Sequence, residues 1–390
     1  MLAVCPRQHL KLAMSMLVFL PWAETHEQLA VGAYTLVPYK RGEKPGGEQQ
    51  PEIDLILSPY LASGRPVSAA LLIRVGNHGL LDDLSDDERS ELFSFGELLA
   101  FAGLACREYF GHFDYVNRDT FSMIIQSFTA SSGGVAVQAR RRDGSTLNYI
   151  KRDQYKVPKP EHVTHNGPVK IAADLLESLL KARDMDSWHL FHEAIFSYSR
   201  GNTDSDAVTE QAETVMMVGA FERLLDCRHG NENELAQRFS SEWKAARSVV
   251  PETCERIPER DRSRTIREGW IRDFFRYRNH LSHGRRASAV PQIWTLEEHL
   301  LLGAYAFPLL VKQMLAASDL YKLSDNDQID IDVFEKLACC RIFERLEEHD
   351  GRDSWPWTKI RGEERWDRAV ENAIKKAEVD LGVGRDAAEA

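Results

Sequence analysis

The chain has no glycine-rich phosphate loop, no Gly-x-Ser-x-Gly elbow and no paired-carboxylate motif. The usual sequence grounds for an NTPase or a triad hydrolase are therefore missing. Cysteine is scarce. The six are Cys5, Cys106, Cys227, Cys254, Cys339 and Cys340, and none forms a Cys-x-x-Cys pair. Adjacent Cys339 and Cys340 cannot bridge each other without strain. This usage excludes a disulfide scaffold and fits a reducing compartment, so a cytoplasmic location is expected. Cys106 and Cys227 fall in apolar helical registers and are expected to be buried thiols. Long apolar runs are also lacking. Leu12 to Ala23 follows Arg7, His9 and Lys11 and mimics a short signal peptide, but it is too short to span a bilayer. A core strand from Met16 to Pro21 is the better reading, with Met14 or Met16 as a possible start. No membrane association is expected.

What the chain does have is ordinary bulk and an uneven charge. At 390 residues, with 43% hydrophobic and 28% charged content, it is large enough for two cored domains. The formal net charge of −11 argues against a general nucleic-acid binder. Between Glu255 and Arg286, however, arginine occurs ten times (256, 260, 262, 264, 267, 272, 276, 278, 285, 286) and acids five times (255, 259, 261, 268, 273), with no lysine. Arginine suits phosphates and stacked bases. Mixed charge of this kind also arises from a helix face laced with Arg/Glu pairs.

Within that stretch runs Trp270-Ile-Arg-Asp-Phe-Phe-Arg-Tyr-Arg-Asn-His-Leu-Ser-His-Gly. Trp270, Ile271, Phe274, Phe275, Tyr277 and Leu281 recur at helical spacing, and Gly284 offers a left-handed stop. Arg278, Asn279 and His283 supply a permanent cation, an amide and a group that titrates near neutral pH. RNA brings its own nucleophile, the 2′-hydroxyl. A histidine to move protons and an arginine to hold the phosphorane would suffice to cleave it. Asn279 and His283 lie i, i+4 on one face, so the amide can fix the imidazole tautomer. Arg278 and His283 stand about 140° apart around an ideal helix. One helix therefore does not aim both at one phosphate.

The Arg278-Asn279…His283 pattern resembles the Arg-X4-6-His signature of the HEPN superfamily. Upstream, Ala220-Phe221-Glu222-Arg223-Leu224-Leu225 is similar to the Ala-x-Glu-x-Leu-Leu segment of its Apea-like group. The resemblance covers roughly the middle 150 residues, about one domain's worth. It implies a helical domain, two motif helices meeting across a homodimer cleft, and a metal-independent endoribonuclease. Such an enzyme would be a toxin or antiviral defence effector, with RNA as substrate and no cofactor. Arg278, Asn279 and His283 are then catalytic, and Arg272, Arg276, Arg285 and Arg286 would grip RNA. The alternative is a non-catalytic HEPN scaffold that dimerises and binds a partner protein or RNA. Glu222, an acid on an otherwise apolar face, would pair with the site's arginine or histidine, or form a plain structural ion pair. His280-Leu-Ser-His283 and His189-Leu-Phe-His192 lack the third ligand and fixed glutamate of a zinc site, so no metal is expected.

The fold class expected is α+β: a mixed α/β sheet domain over 1–168, a HEPN-like helical bundle over 169–320, and a helical extension over 321–390 that frays from Gly382. Strands are expected at 16–21, 29–39, 67–74, 120–128, 134–142 and 146–151. The last two should form a hairpin at Asp143-Gly144 and join the main sheet. Ser85 to Glu88 reads as a capping box opening a helix through Phe110. Arg41 to Pro51 reads as a loop, and the Pro/Gly-rich 156–168 as the domain boundary. Helices are then expected near 170–183, 186–200, 206–227, 232–249, 262–283, 294–318, 328–348 and 363–381.

Overall fold

A computed structural model describes residues 15–380 apart from 44–46, 111–114, 128–133, 143, 228–229, 260–261, 283–292 and 348–352. The chain is α+β, with a sheet-bearing N-terminal region and a helical C-terminal one. It divides into two compact units. The first comprises Met1–Arg107 and Val116–Leu180, and the second Glu108–Tyr115 and Lys181–Ala390.

In chain order the first unit holds β1 (Met16–Leu20), β2 (Leu29–Val31), β3 (Tyr34–Lys40), α1 (Gln50–Leu57), β4 (Tyr60–Ala62), β5 (Arg65–Pro66) and β6 (Ala69–Val75). Then follow α2 (Asp86–Leu104), β7 (Ile124–Ser127), β8 (Gly134–Arg141), β9 (Gly144–Lys151), β10 (Val157–Pro158) and α3 (Ala173–Lys181). Five strands make an antiparallel sheet in the order β2-β3-β6-β1-β7. Both faces are covered, which explains why β1 reads Met-Leu-Val-Phe-Leu without alternation and is buried throughout. Leu17, Phe19, Val37, Tyr39 and Leu72 meet Ile53, Ile56 and Leu57 of α1 on one face. On the other, Tyr34 stacks on Phe95 of α2 at 3.8 Å. The capping box at Ser85 and Glu88 is present. Near the end of α2 a side chain at Gly103 would collide with the Phe121 ring, so the absence of a Cβ admits that ring.

Several expectations change here. The 134–151 hairpin forms in register, but as a separate two-stranded sheet and not part of the five-stranded one. Residues 118–121 form a 3-10 turn, and among the described residues of the expected strand 124–127 pair with β1. The α2 helix stops at Leu104. A helix, α1, occupies sequence next to the expected loop, with Pro51 at its first turn. The boundary also moves. Residues 157–169 are threaded into the first unit, where Val157 pairs with Tyr60 and the Val169 amide donates to the Glu24 carbonyl at 2.8 Å. Leu175, Leu176 and Leu179 of α3 are buried, so the unit extends to Leu180 rather than 168.

The second unit is helical: α4 (Trp188–Arg200), α5 (Glu210–Leu224), α6 (Glu232–Glu242), α7 (Ile266–Ser282), α8 (Leu296–Ala317) and α9 (Asp325–Cys339). A small pair of strands, β11 (Leu346–Glu347) and β12 (Asp353–Ser354), precedes α10 (Pro356–Asp380). Its core is aromatic. Trp270 of α7 lies 5.9 Å from Phe221, 5.7 Å from Phe239 and 5.2 Å from Phe334, ring centre to ring centre. A buried ring of this size is worth roughly 3–5 kcal/mol against alanine. Helix α8 is long and apolar enough to cross a membrane, but 72% of its apolar window is buried within the protein. The absence of a side chain at Gly303 lets Met217 of α5 and Phe274 of α7 approach it together.

Beyond 320, the described helices join the same unit: α9 packs on α7 and α8, and α10 packs on α9. The sixth helix ends at Glu242 rather than 249. Lys244, Ala246 and Val249 then donate their amides to Gln313, Asp332 and Glu335 at 2.6–2.7 Å, so side chains replace helical carbonyls as acceptors. Cys106 and Cys227 are only partly buried, and among the described cysteines Cys254 is the buried one.

Candidate functional site

Helix α7 carries the motif, and its local sequence explains its placement. The Thr265 hydroxyl accepts the Glu268 amide at 3.4 Å, and the Glu268 carboxylate accepts the Thr265 amide at 3.1 Å, opening the helix. Ile266, Trp270, Ile271, Phe274, Phe275 and Tyr277 are buried. They fix the rotation of the helix and so decide what each arginine meets.

In the middle of α7, Arg272 is 8% exposed and donates to Glu232 of α6 at 2.6 Å. Arg276 grips the same carboxylate with two hydrogen bonds, at 2.7 and 2.8 Å. Hydrogen bonds from both guanidinium groups, Arg276 foremost, hold the Glu232 carboxyl below the usual carboxylate range. Arg272, expected to contact RNA, is placed here as a buried fastener between α6 and α7. Arg276 is exposed but engaged with Glu232. On the opposite side, Asp273 accepts the amides of Ile293 and Trp294 at 3.0 and 3.3 Å and faces Nε2 of buried His299 at 3.3 Å. These contacts return the chain to α7 where α8 begins.

The last turn is different. Arg278 and Asn279 are half-buried, and Leu281 lies at the same intermediate depth. The Arg278 guanidinium meets Glu222 of α5 in an ion pair and sits 4.6 Å over the Phe275 ring. Its side chain is 19% exposed and that of Glu222 is 18%. Burial raises the Glu222 carboxyl above its usual range, and the charge and hydrogen bond of Arg278 pull it only part of the way back. Nδ1 of His280 is buried with no hydrogen-bond partner among the described residues. Cationic residues here complement the helix macrodipole. The catalytic expectation at His283 and the RNA-contact expectations at Arg285 and Arg286 lie outside the described residues.

Among the described residues of 255–286, five arginines are thus met by acids far away in sequence. Arg256 pairs with Glu298 at 2.5 Å, Arg267 with Glu335 at 3.3 Å, Arg272 and Arg276 with Glu232, and Arg278 with Glu222. Glu232 carried no sequence signal of this role. Among the described residues no group of three or more His, Cys, Asp or Glu is arranged to hold a metal ion. No family model, no curated protein and no solved structure matches the chain.

Proposed function

We propose that the chain is a metal-independent endoribonuclease of HEPN type. The observation that carries this reading is the Arg278–Glu222 pair. The two stretches that resemble the superfamily, on α5 and at the end of α7, meet through their most characteristic charged residues. A half-buried guanidinium over an aromatic ring is preorganised, and a phosphate can take the place of the single carboxylate that faces it.

In this reading His283 takes the proton from the 2′-hydroxyl as it attacks the adjacent phosphorus, and the 5′-oxygen leaves protonated. Arg278 neutralises the charge that grows on the phosphorane, and Asn279 orients the imidazole. A second copy of α7 across a two-fold axis supplies the other proton-transfer group, because positions five apart would diverge by about 140° around an ideal helix. Glu222 is a positioning residue, which holds the fork until substrate arrives.

One observation favours the second reading, a non-catalytic HEPN scaffold: among the described residues, Arg256, Arg267, Arg272 and Arg276 around the motif are already paired with carboxylates. Product analysis in EDTA separates the two. Purified protein is expected to cut RNA to 2′,3′-cyclic phosphate and 5′-hydroxyl ends and to leave DNA of the same sequence intact. His283→Ala is expected to lose about 10²–10⁴ in rate. If no RNA is cut, the scaffold reading takes over.

A further inference from the structure

The helix α10 carries an apolar stripe that the described residues of the helical unit leave uncovered. Along its first half α10 is held on α9. Trp357 and Glu364 are buried, and Glu364 accepts from Lys336 at 2.9 Å. Arg361 grips Asp330 at 2.8 and 3.0 Å, and Arg368 pairs with Asp332. These contacts fix the rotation of the helix. Trp366 lies two residues from both Glu364 and Arg368, about 160° around an ideal helix, and so points away from α9. It is 70% exposed, and Val370 and Ile374, one and two turns on, are 40% and 52% exposed. Exposed Ala373 and Ala377 lie on the same side. From Ala369 to Ala377 every described side chain is exposed, although Glu371 reaches back to pair with Arg247. Single apolar residues on a surface are ordinary, but five within about 100° of arc make a face. So short a stretch of helix is marginal in water unless something packs on it.

The two edges of the stripe carry opposite charges. Glu363 and Asp367 border it on one side, Arg365 and Lys376 on the other, and all four are exposed. We propose that this face of α10 is a homodimer interface, in which two copies of the chain pair their α10 helices in parallel about a two-fold axis. In that arrangement the acidic edge of each helix lies beside the basic edge of the other, as flanking charges do in parallel coiled coils. An antiparallel pair would set acid against acid and base against base. The charge pattern therefore makes the face complementary to itself in one orientation. Trp366 supplies the large apolar contact, and Ala373 and Ala377 let the two backbones approach. The pairing is independent of the ribonuclease reading, whose two-fold contact lies at the end of α7.

The test uses the full chain and reads its mass in solution by light scattering over a range of concentrations. The wild type is expected to pass from monomer to dimer as concentration rises. Trp366→Glu and Val370→Glu, at exposed positions that leave the core untouched, should each raise the dimer dissociation constant by at least about tenfold while staying folded by circular dichroism. Asp367→Arg should weaken the dimer as well, and adding Arg365→Glu should restore it. Orientation is read by cross-linking. In a parallel pair each stripe residue faces its own copy, so Val370→Cys and Ala377→Cys should each give a disulfide between identical positions, mapped by mass spectrometry. A monomer at every concentration, a dimer that both glutamates leave intact, or a cross-link at only one of the two cysteines would overturn the proposal. So would a monomer that sediments with phosphatidylcholine vesicles, which would make the stripe a membrane contact.

Discussion

Arg272 and Arg278 stand less than two turns apart on α7, and in sequence they look alike. The first is buried and shares Glu232 with Arg276, at the seam between α6 and α7. The second lies in the final turn, about a fifth exposed, over Phe275 and against Glu222. Glu232 ionises more easily than a free carboxylate because two guanidinium groups donate to it. Glu222 ionises less easily because burial outweighs the pull of Arg278 and, after it, Arg223. The middle of the helix therefore spends its arginines on holding the fold. Its end carries a cation whose partner gives up charge at low cost, as a substrate phosphate would require.

The largest expected effect is on catalysis at the end of the helix. Arg278→Ala should reduce RNA cleavage by about 10²–10⁴, and Arg278→Lys should recover little of it, since an ammonium cannot reproduce the fork. Stability should fall by only about 1 kcal/mol, because Glu222 can take up a proton once its partner is gone. Cleavage kinetics and urea unfolding on the same preparations check both parts. The mid-helix pair should show the inverse. Glu232→Ala leaves buried Arg272 without its carboxylate and is expected to cost about 2–4 kcal/mol in urea unfolding.

Next comes a carboxylate on α5 with no cation among its main influences. Burial, and after it the charge of Asp204, raise the Glu213 carboxyl to about 7. A carboxyl raised in the folded state binds its proton more tightly there than in the unfolded chain. Its contribution is fully present below the ordinary carboxyl range of about 4.5 and is lost as pH rises through about 7. Stability of the wild type should thus fall by about 3 kcal/mol over that window relative to Glu213→Gln. Equal pH profiles would remove the contrast with Glu222. The smallest effect is expected at Arg276→Ala. Its side chain is 44% exposed, and Arg272 still holds Glu232, so the loss should stay below about 1 kcal/mol.

Local signals in the sequence were legible where the physics is local. The Ser85–Glu88 capping box, the 134–151 hairpin register and the aromatic stripe of α7 all involve residues a few positions apart. What failed depended on distant partners. The Asp143-Gly144 turn specifies the hairpin but says nothing of which sheet edge it joins. Pro158, Pro160, Gly167 and Pro168 look like a linker, yet β10 pairs with β4 and the Val169 amide reaches Glu24. Pro51 marks a helix start as readily as a loop, since its missing amide is one that the first turn does not need. Five of the described arginines in the 255–286 surplus are paired in space with carboxylates. Those carboxylates come from α5, α6, α8 and α9, which no window on the chain could include. Glu222 was visible as an acid on an apolar face, but only the packing of α5 on α7 selects Arg278 as its partner.

The central claim is that the end of α7 performs chemistry while its middle holds the fold. The most direct test is the RNA cleavage rate of wild type and Arg278→Ala in EDTA, with both shown to be folded by the same thermal melt. The account predicts an active wild type that leaves 2′,3′-cyclic phosphate ends, and a variant slower by about 10²–10⁴ at nearly unchanged melting temperature. Equal rates in the two proteins, or a folded wild type that cuts no RNA, would contradict it.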